Sequence, residues 1–235
     1  PRSTLFPYTT LFRSDGIKLE TSSPLPTMTS YVVWNIGNGP FAYTEGPYFY
    51  PKYLSVTYAY DIAEVDQTPF AKYDKFNLTK VRAKLESGEG ISLVTLGDSI
   101  TQGCSSTGDV LNIDPATPCY AKQFKAELER LYNVDVSLYN GGVGGKQSDY
   151  PTSAEGTAVL SAAKLAKPDL CVIAFGMNDM SAKVEAVEFE DNIRKTMTEI
   201  KNVSPDCEFI LINSFPCNPR YEQAGGYFTK YLNKL

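Results

Sequence analysis

A parallel β-sheet covered by helices on both faces, in a three-layer α/β/α arrangement preceded by a partial β-sandwich, is the architecture this sequence predicts. Three features predict it. From residue 76 onward, short runs of β-branched and other apolar residues alternate with stretches of helical period, as successive βα units require. Those runs are apolar throughout, which marks strands buried on both faces of a sheet. Between Asp15 and Tyr73 the composition shifts to Tyr, Pro, Gly and Thr, in runs bounded by turn residues, as in antiparallel β structure. The expected domains are therefore a partial β-rich, sandwich-like one over 15–75 and an α/β one over 76–235. With 235 residues, 43% of them hydrophobic, the chain can bury a substantial core.

Residues 1–14 stand apart. From Thr4 to Ser14 the chain reads Thr-Leu-Phe-Pro-Tyr-Thr-Thr-Leu-Phe-Arg-Ser, which resembles the conceptual translation of a widely used DNA sequencing adapter. They are expected to be an adapter-derived artefact outside the fold. On that expectation the sequence is a fragment, and its natural N-terminus, with any signal peptide, is missing. Strand-like runs follow at 30–34 and 53–60; in the second, small or polar residues alternate with larger ones, the period of a half-buried strand. The aromatic faces of Tyr43, Tyr48, Tyr50, Tyr53, Tyr58 and Tyr60 can pack on sugar rings, although ordinary sheet packing accounts for tyrosines in strands better.

Residues 77–87 form an amphipathic helix with Leu78, Val81 and Leu85 on one face, closing on Gly88-Glu89-Gly90. Strands are expected at 91–96, 134–139, 170–175 and 208–214. Helices are expected at 120–132, 153–165 and 187–201, with another starting near Tyr221. A polar loop spans 104–118 and a glycine-rich loop 140–145.

The formal net charge of −5 argues against a nucleic-acid partner, because phosphate neutralisation needs a clustered excess of Lys and Arg. No apolar run approaches the roughly 20 residues that span a bilayer. The five cysteines, at 104, 119, 171, 207 and 217, are odd in number and match no zinc spacing. Cys171 lies in an apolar run and reads as core, whereas Cys104 and Cys119 flank the polar loop and can pair in an oxidising compartment. The chain contains no histidine, and with it loses the commonest general base near neutral pH.

Three short stretches carry candidate chemistry. In Leu93-Val94-Thr95-Leu96-Gly97-Asp98-Ser99-Ile100-Thr101-Gln102-Gly103 an apolar strand stops at a glycine, and Ser99 follows where the strand reaches the surface. Ser99 is the candidate nucleophile; the bland alternative is a strand-to-helix turn capped by Asp98 or Ser99. The stretch Asn140-Gly141-Gly142-Val143-Gly144-Gly145-Lys146-Gln147 invites comparison with a phosphate-binding loop. It fails, because Asn140 stands at the first glycine position and Gln147 at the Ser/Thr position. Its glycines nonetheless let backbone N–H groups approach a ligand closely. In Gly176-Met177-Asn178-Asp179 the asparagine can offer its side-chain amide to an oxyanion, and the aspartate can hold the loop by accepting backbone hydrogen bonds.

Together these three ordered blocks resemble the SGNH or GDSL hydrolase family. Gly97-Asp98-Ser99 matches the first block, residues 140–145 the second, and Gly176-Met177-Asn178-Asp179 the third. The resemblance covers about 76–235 and implies an SGNH-hydrolase-like domain, with Ser99 as nucleophile and Gly145 and Asn178 as oxyanion donors. It implies an esterase removing acetyl or other acyl groups from a small-molecule or glycan ester, with no metal or organic cofactor. The family's fourth block, Asp-x-x-His, is absent, which reads as truncation and predicts that these residues alone are nearly inactive. The alternative is a non-catalytic carbohydrate-binding or interaction module on the same scaffold. An extracellular or periplasmic site suits a polysaccharide-acting enzyme, but neither localisation nor oligomeric state can be read from the residues.

Overall fold

The computed structural model describes residues 77–104, 106–109, 112 and 116–213, with the backbone of 32–35 and 40–43. The adapter-like segment, the expected strand at 53–60, the tyrosine side chains and the helix near Tyr221 lie outside the described residues. The chain divides into two units, Pro1–Tyr73 and Asp74–Leu235.

In the first unit, β1 (Val32–Asn35) and β2 (Pro40–Tyr43) pair antiparallel, with Val32 opposite Tyr43 and Asn35 opposite Pro40. The sequence places a strand at 30–34 but gives no sign of β2. Its first residue is proline, tolerated at the start of a strand but easily read as a turn.

The second unit runs α1 (Thr79–Glu86), β3 (Ile91–Gly97), α2 (Ser99–Gln102), α3 (Tyr120–Tyr132), β4 (Val136–Gly142), α4 (Thr157–Leu165), β5 (Leu170–Ala174), α5 (Met177–Ala182), α6 (Ala186–Lys201) and β6 (Glu208–Leu211). The strands form one parallel sheet in the order β4-β3-β5-β6. Alternation along each strand divides the core in two. Ile91, Leu93, Leu170 and Val172 pack with Val81 and Leu85 of α1 and Leu128 of α3 on one face. Val94, Leu96, Cys171 and Ile173 pack with Ala163 of α4, Met180 of α5 and Phe189, Ile193 and Ile200 of α6 on the other. This is the predicted three-layer α/β/α domain. Among the described residues no helix is long and apolar enough to cross a membrane.

Strand order positions the site. From β3 the chain moves to β4 on one side and then to β5 and β6 on the other, so the crossover direction reverses at β3. In open α/β sheets such a reversal leaves a crevice over the carboxyl ends of the strands.

Three boundaries differ from expectation in a way that matters there. β4 runs on through Asn140, Gly141 and Gly142, paired with Thr95, Leu96 and Gly97, so half of the expected loop is strand. The chain also turns into helix immediately after β3 and nearly so after β5, through α2 and α5. The turn after β3 is crowded. A methyl group on Gly97 would lie 2.0 Å from Thr101 Oγ1 and 2.6 Å from the Ala174 carbonyl oxygen, and one on Gly142 would lie 2.2 Å from Gln102 N.

The polar loop is anchored to α3 by Asp109. Its carboxylate accepts from Cys119 N at 2.5 Å and Ser106 Oγ at 3.1 Å, and pairs with Lys122 in the first turn of the helix. Burial alone would raise this acid's pKa. The Lys122 ammonium, the Cys119 N–H and the Ser106 hydroxyl outweigh it and hold the carboxyl down to about 2.

Two stability predictions follow from this packing. Gly97→Ala should cost about 1–3 kcal/mol, as overpacking does, read as a lower urea midpoint with an unchanged slope. A carboxyl depressed in the folded state contributes stability that is present above its unfolded pKa of about 4 and lost as pH falls through the folded value. Wild type should therefore lose thermal stability faster than Asp109→Asn as pH is lowered from about 4 towards about 2.

Candidate active site

Ser99 is the first residue of α2 and is half-buried, directly beyond the end of β3. Asp98 caps this short helix, its Oδ1 accepting from Ile100 N at 2.9 Å, and Gly103 closes it in a left-handed conformation at φ 86°. Thr101, fully buried, holds α2 to α3 through a 2.9 Å hydrogen bond between its Oγ1 and Tyr120 Oη. Burial raises the Tyr120 phenol to about 12 despite that bond, so it stays neutral at ordinary pH.

Asn140 fastens the end of β4 to the same helix. Its Oδ1 accepts from Thr95 Oγ1 at 3.1 Å and Gly142 N at 3.0 Å, while its Nδ2 donates to the Thr101 carbonyl at 2.8 Å. The chain then passes beside the serine. Val143 N donates to the Gly97 carbonyl at 3.0 Å, and Gly144 N donates to Gln102 Oε1 at 2.6 Å. A Cβ on Gly144 would lie 3.6 Å from Ser99 Cβ. Gly145 is exposed, takes φ +75°, and has open space where a Cβ would stand.

Asn178 arrives from β5. Gly176, at φ 126°, makes the sharp turn into α5, and Asn178 lies in its first turn, half-buried. Its Nδ2 donates to the Lys146 carbonyl at 3.0 Å and approaches Asp98 Oδ2 at 3.5 Å. Lys146 follows Gly145 and Asp98 precedes Ser99, so one amide links the neighbourhoods of the other two predicted site residues. The 3.5 Å contact is at the limit of a hydrogen bond, and a ligand oxygen can compete for that proton.

Asp179 accepts the Ser148 backbone N–H, as expected of an aspartate holding the loop, and accepts the Ser148 hydroxyl too. Burial raises its pKa, with the Ser148 hydrogen bonds opposing. The sequence gives no hint of the parts played by Gln102 and Ser148, and marks Asn140 only as the start of the second block. Each is an ordinary polar residue until its burial or its partner is known. Cys104 and Cys119 are thiols and do not pair with each other. Cys104 Sγ lies 3.3 Å from Gln102 Oε1, and Cys119 Sγ lies 3.7 Å from Asn140 Nδ2. Among the described residues no group of three or more Cys, Asp or Glu side chains is gathered as a metal site.

The Ser99 hydroxyl, the Gly144–Gly145 turn and the Asn178 side-chain amide thus lie beyond the carboxyl ends of three adjacent parallel strands, with Asn178 linked to Asp98 and Lys146, where α/β proteins bind their ligands. Residues 95–235, more than half of the chain, match the GDSL-like lipase/acylhydrolase family, and the chain belongs to that family. Among solved structures it is similar to a two-domain esterase active on acetylated mannans, co-crystallized with mannopentaose (24% identity, 59% of this chain and 34% of that one, TM-score 0.46). It is also similar to TesA (20% identity, 60% and 69%, TM-score 0.45) and to an acetylxylan esterase from Geobacillus stearothermophilus (20% identity, 62% and 70%, TM-score 0.44). The match spans about a third of the two-domain esterase. No curated protein matches the chain.

The two exposed glycines of the turn after β4 should respond differently to a methyl group. Gly145→Ala forces a side chain into a left-handed conformation and should cost about 1–2 kcal/mol. Gly144→Ala meets first Gln102 Oε1, at 3.1 Å, the atom that accepts the Gly144 N–H, and should cost at most about 1 kcal/mol, the net worth of such a bond. Urea unfolding of the two variants side by side checks the order.

Proposed function

We propose that this chain carries the acyl-transfer machinery of a serine ester hydrolase, acting on acetyl or similar acyl groups borne by a carbohydrate. The observation that carries the reading is the Asn178 amide, which reaches the residue after Gly145 and the residue before Ser99. Ser99 Oγ attacks the ester carbonyl carbon, forming the C–O bond of a tetrahedral intermediate. The carbonyl oxygen, now anionic, takes hydrogen bonds from the backbone N–H groups of Ser99 and Gly145 and from Asn178 Nδ2. One such donor is typically worth about 3 kcal/mol in the transition state. Collapse expels the alcohol, which leaves with a proton, and water then releases the acid from the acyl-serine.

The serine proton needs an acceptor, and the 235 residues contain no imidazole to supply one. The family resemblance places that histidine in an Asp-x-x-His block that this sequence lacks. The carbohydrate preference rests on the sequence, through that resemblance and the tyrosines between residues 43 and 60, whose ring faces suit the C–H side of a sugar. The lack of histidine also favours a second reading, a glycan-binding module on this scaffold that performs no chemistry.

Added imidazole separates the two. The 235-residue chain should hydrolyse 4-nitrophenyl acetate slowly, within the roughly 10³- to 10⁴-fold over water that binding and oxyanion donors sustain without a triad base. The rate should climb with imidazole concentration more steeply than for Ser99→Ala, which should show only the background of imidazole itself. Equal rates for the two proteins at every imidazole concentration would remove the hydrolase reading and leave the binding module.

A further inference from the structure

We propose that Asp179, Ser148 and Asn192 are positioning residues, a buried clamp that holds the Asn178 amide and the Gly145 backbone at a fixed separation. What those two groups then do rests on the ester-hydrolase reading; the clamp itself does not.

The three side chains come from α5, the β4–α4 connection and α6, and meet below the surface. Asp179 and Ser148 are at 0% exposure and Asn192 at 6%. Ser148 N donates to Asp179 Oδ1 at 3.0 Å and Oδ2 at 3.2 Å, and Ser148 Oγ donates to Oδ1 at 2.6 Å. Having given its hydrogen to the carboxylate, the hydroxyl accepts from Asn192 Nδ2 at 3.2 Å. The donors therefore run in one direction, from amide to hydroxyl to carboxylate. Replacing the final acceptor by a group that also donates breaks that order.

Burying a carboxylate costs several kcal/mol unless it is well satisfied, and a single neutral hydrogen bond would suffice merely to tether a loop. What the charge secures follows from where the clamp is attached. Asn178 holds Lys146 by its carbonyl at 3.0 Å, and Asp179, the next residue, holds Ser148 by its N–H at 3.0 Å. Two consecutive residues at the start of α5 thus pin both ends of segment 146–148, and Gly145 is the residue immediately before it. Gly145 sits at φ +75° with nothing within 4 Å of a Cβ position, so local side-chain packing does not fix its orientation. On its other side Gly144 is tied to Gln102 Oε1, so Gly145 is the joint between two held segments; remove the second attachment and segment 146–148 turns about the first, rotating the Gly145 peptide at that joint.

The test compares Asp179→Asn, equal in shape, with Thr196→Val. Thr196 lies on α6 at 0% exposure, and its hydroxyl has no hydrogen-bond partner among the described residues. Asp179→Asn should lower the Ser99-dependent, imidazole-supplemented kcat on 4-nitrophenyl acetate by about 10- to 100-fold, the range for a reacting group displaced by on the order of 1 Å. KM should stay within about two-fold, since the loss falls on the transition state. The Gly145 backbone amide and the Asn178 side-chain amide should both shift in ¹H–¹⁵N spectra, while Thr196→Val leaves kcat and both resonances in place. If Asp179→Asn does not fold, Ser148→Ala, which keeps the backbone donor and deletes the hydroxyl, takes its place with the same readouts. A variant that changes thermal stability but leaves kcat and both resonances unmoved overturns the proposal, as does Thr196→Val moving them equally. Absence of Ser99-dependent turnover in the wild type counts against the hydrolase reading alone, because the two resonances still decide the clamp.

Discussion

The site depends first on how closely α2 lies against the ends of β3 and β4. Contact at that range is possible only because no side chain projects from Gly97 or Gly142, whose missing methyl groups would fall 2.0–2.6 Å from atoms of Thr101, Gln102 and Ala174. A helix of four residues cannot hold its shape by its own hydrogen bonds. Here it borrows rigidity from the sheet, through packing at these glycines and through Thr101, which is sealed beneath it and bonded to Tyr120. The serine at its first position inherits that rigidity. The glycine before the serine is therefore a packing requirement in the first instance.

The polar ties around the site divide from the apolar core with little overlap. Both hydrophobic layers are built from positions alternating along β3 and β5, together with one face each of α3 and α6. Beyond the strand ends they reach Phe175 and Met180 at the start of α5, but not the turn after β4. Holding that turn falls to side chains whose hydrogen-bonding capacity is nearly used up. Asn140 spends both lone pairs of its Oδ1 on Thr95 and Gly142 and gives its Nδ2 to Thr101. Gln102 does the same for the glycine turn through Gly144. Each tie is worth only about 1 kcal/mol net, but each also fixes a direction, which dispersion contacts do not.

Most of the α/β layer was legible in the sequence because its signals are periodic. The helix expected over 120–132 is α3, residue for residue, and those expected at 77–87 and 187–201 lie within three residues of α1 and α6 at either end. Apolar runs marked all four strands of the parallel sheet. What failed to show was structure too short to repeat. Four residues of α2 and six of α5 cannot display a 3.6-residue period, and Gly141 and Gly142 read as loop because glycine disfavours strands unless the sheet needs a close approach. The three motif blocks singled out Ser99, Gly145 and Asn178 as candidates, and all three lie beyond the ends of the strands. Ser148 and Asn192 stayed hidden, one in apparent loop and one on an amphipathic helix, because burial, and not residue type, is what distinguishes them.

The placement of these ties explains why a site assembled from three separate connections need not be loose. Ser99, Gly145 and Asn178 stand 46 and 33 positions apart along the chain, and groups so distant in sequence gain nothing from local geometry. Each is nevertheless tied within one to three residues of itself: Ser99 through Asp98 and Gln102, Gly145 through Gly144 and Lys146, Asn178 through Asp179. Donors set in position before a substrate arrives need no reorganisation when negative charge develops, which is the condition under which hydrogen bonds lower a barrier most. Under the proposed chemistry this separates two tasks that are often described together. Orientation of the oxyanion donors belongs to the strand ends and their ties, all within this chain. Removal of the serine proton belongs to a base that these residues do not supply. The two contributions are then independent in kind, one electrostatic and already in place, the other a proton transfer that small-molecule imidazole can perform.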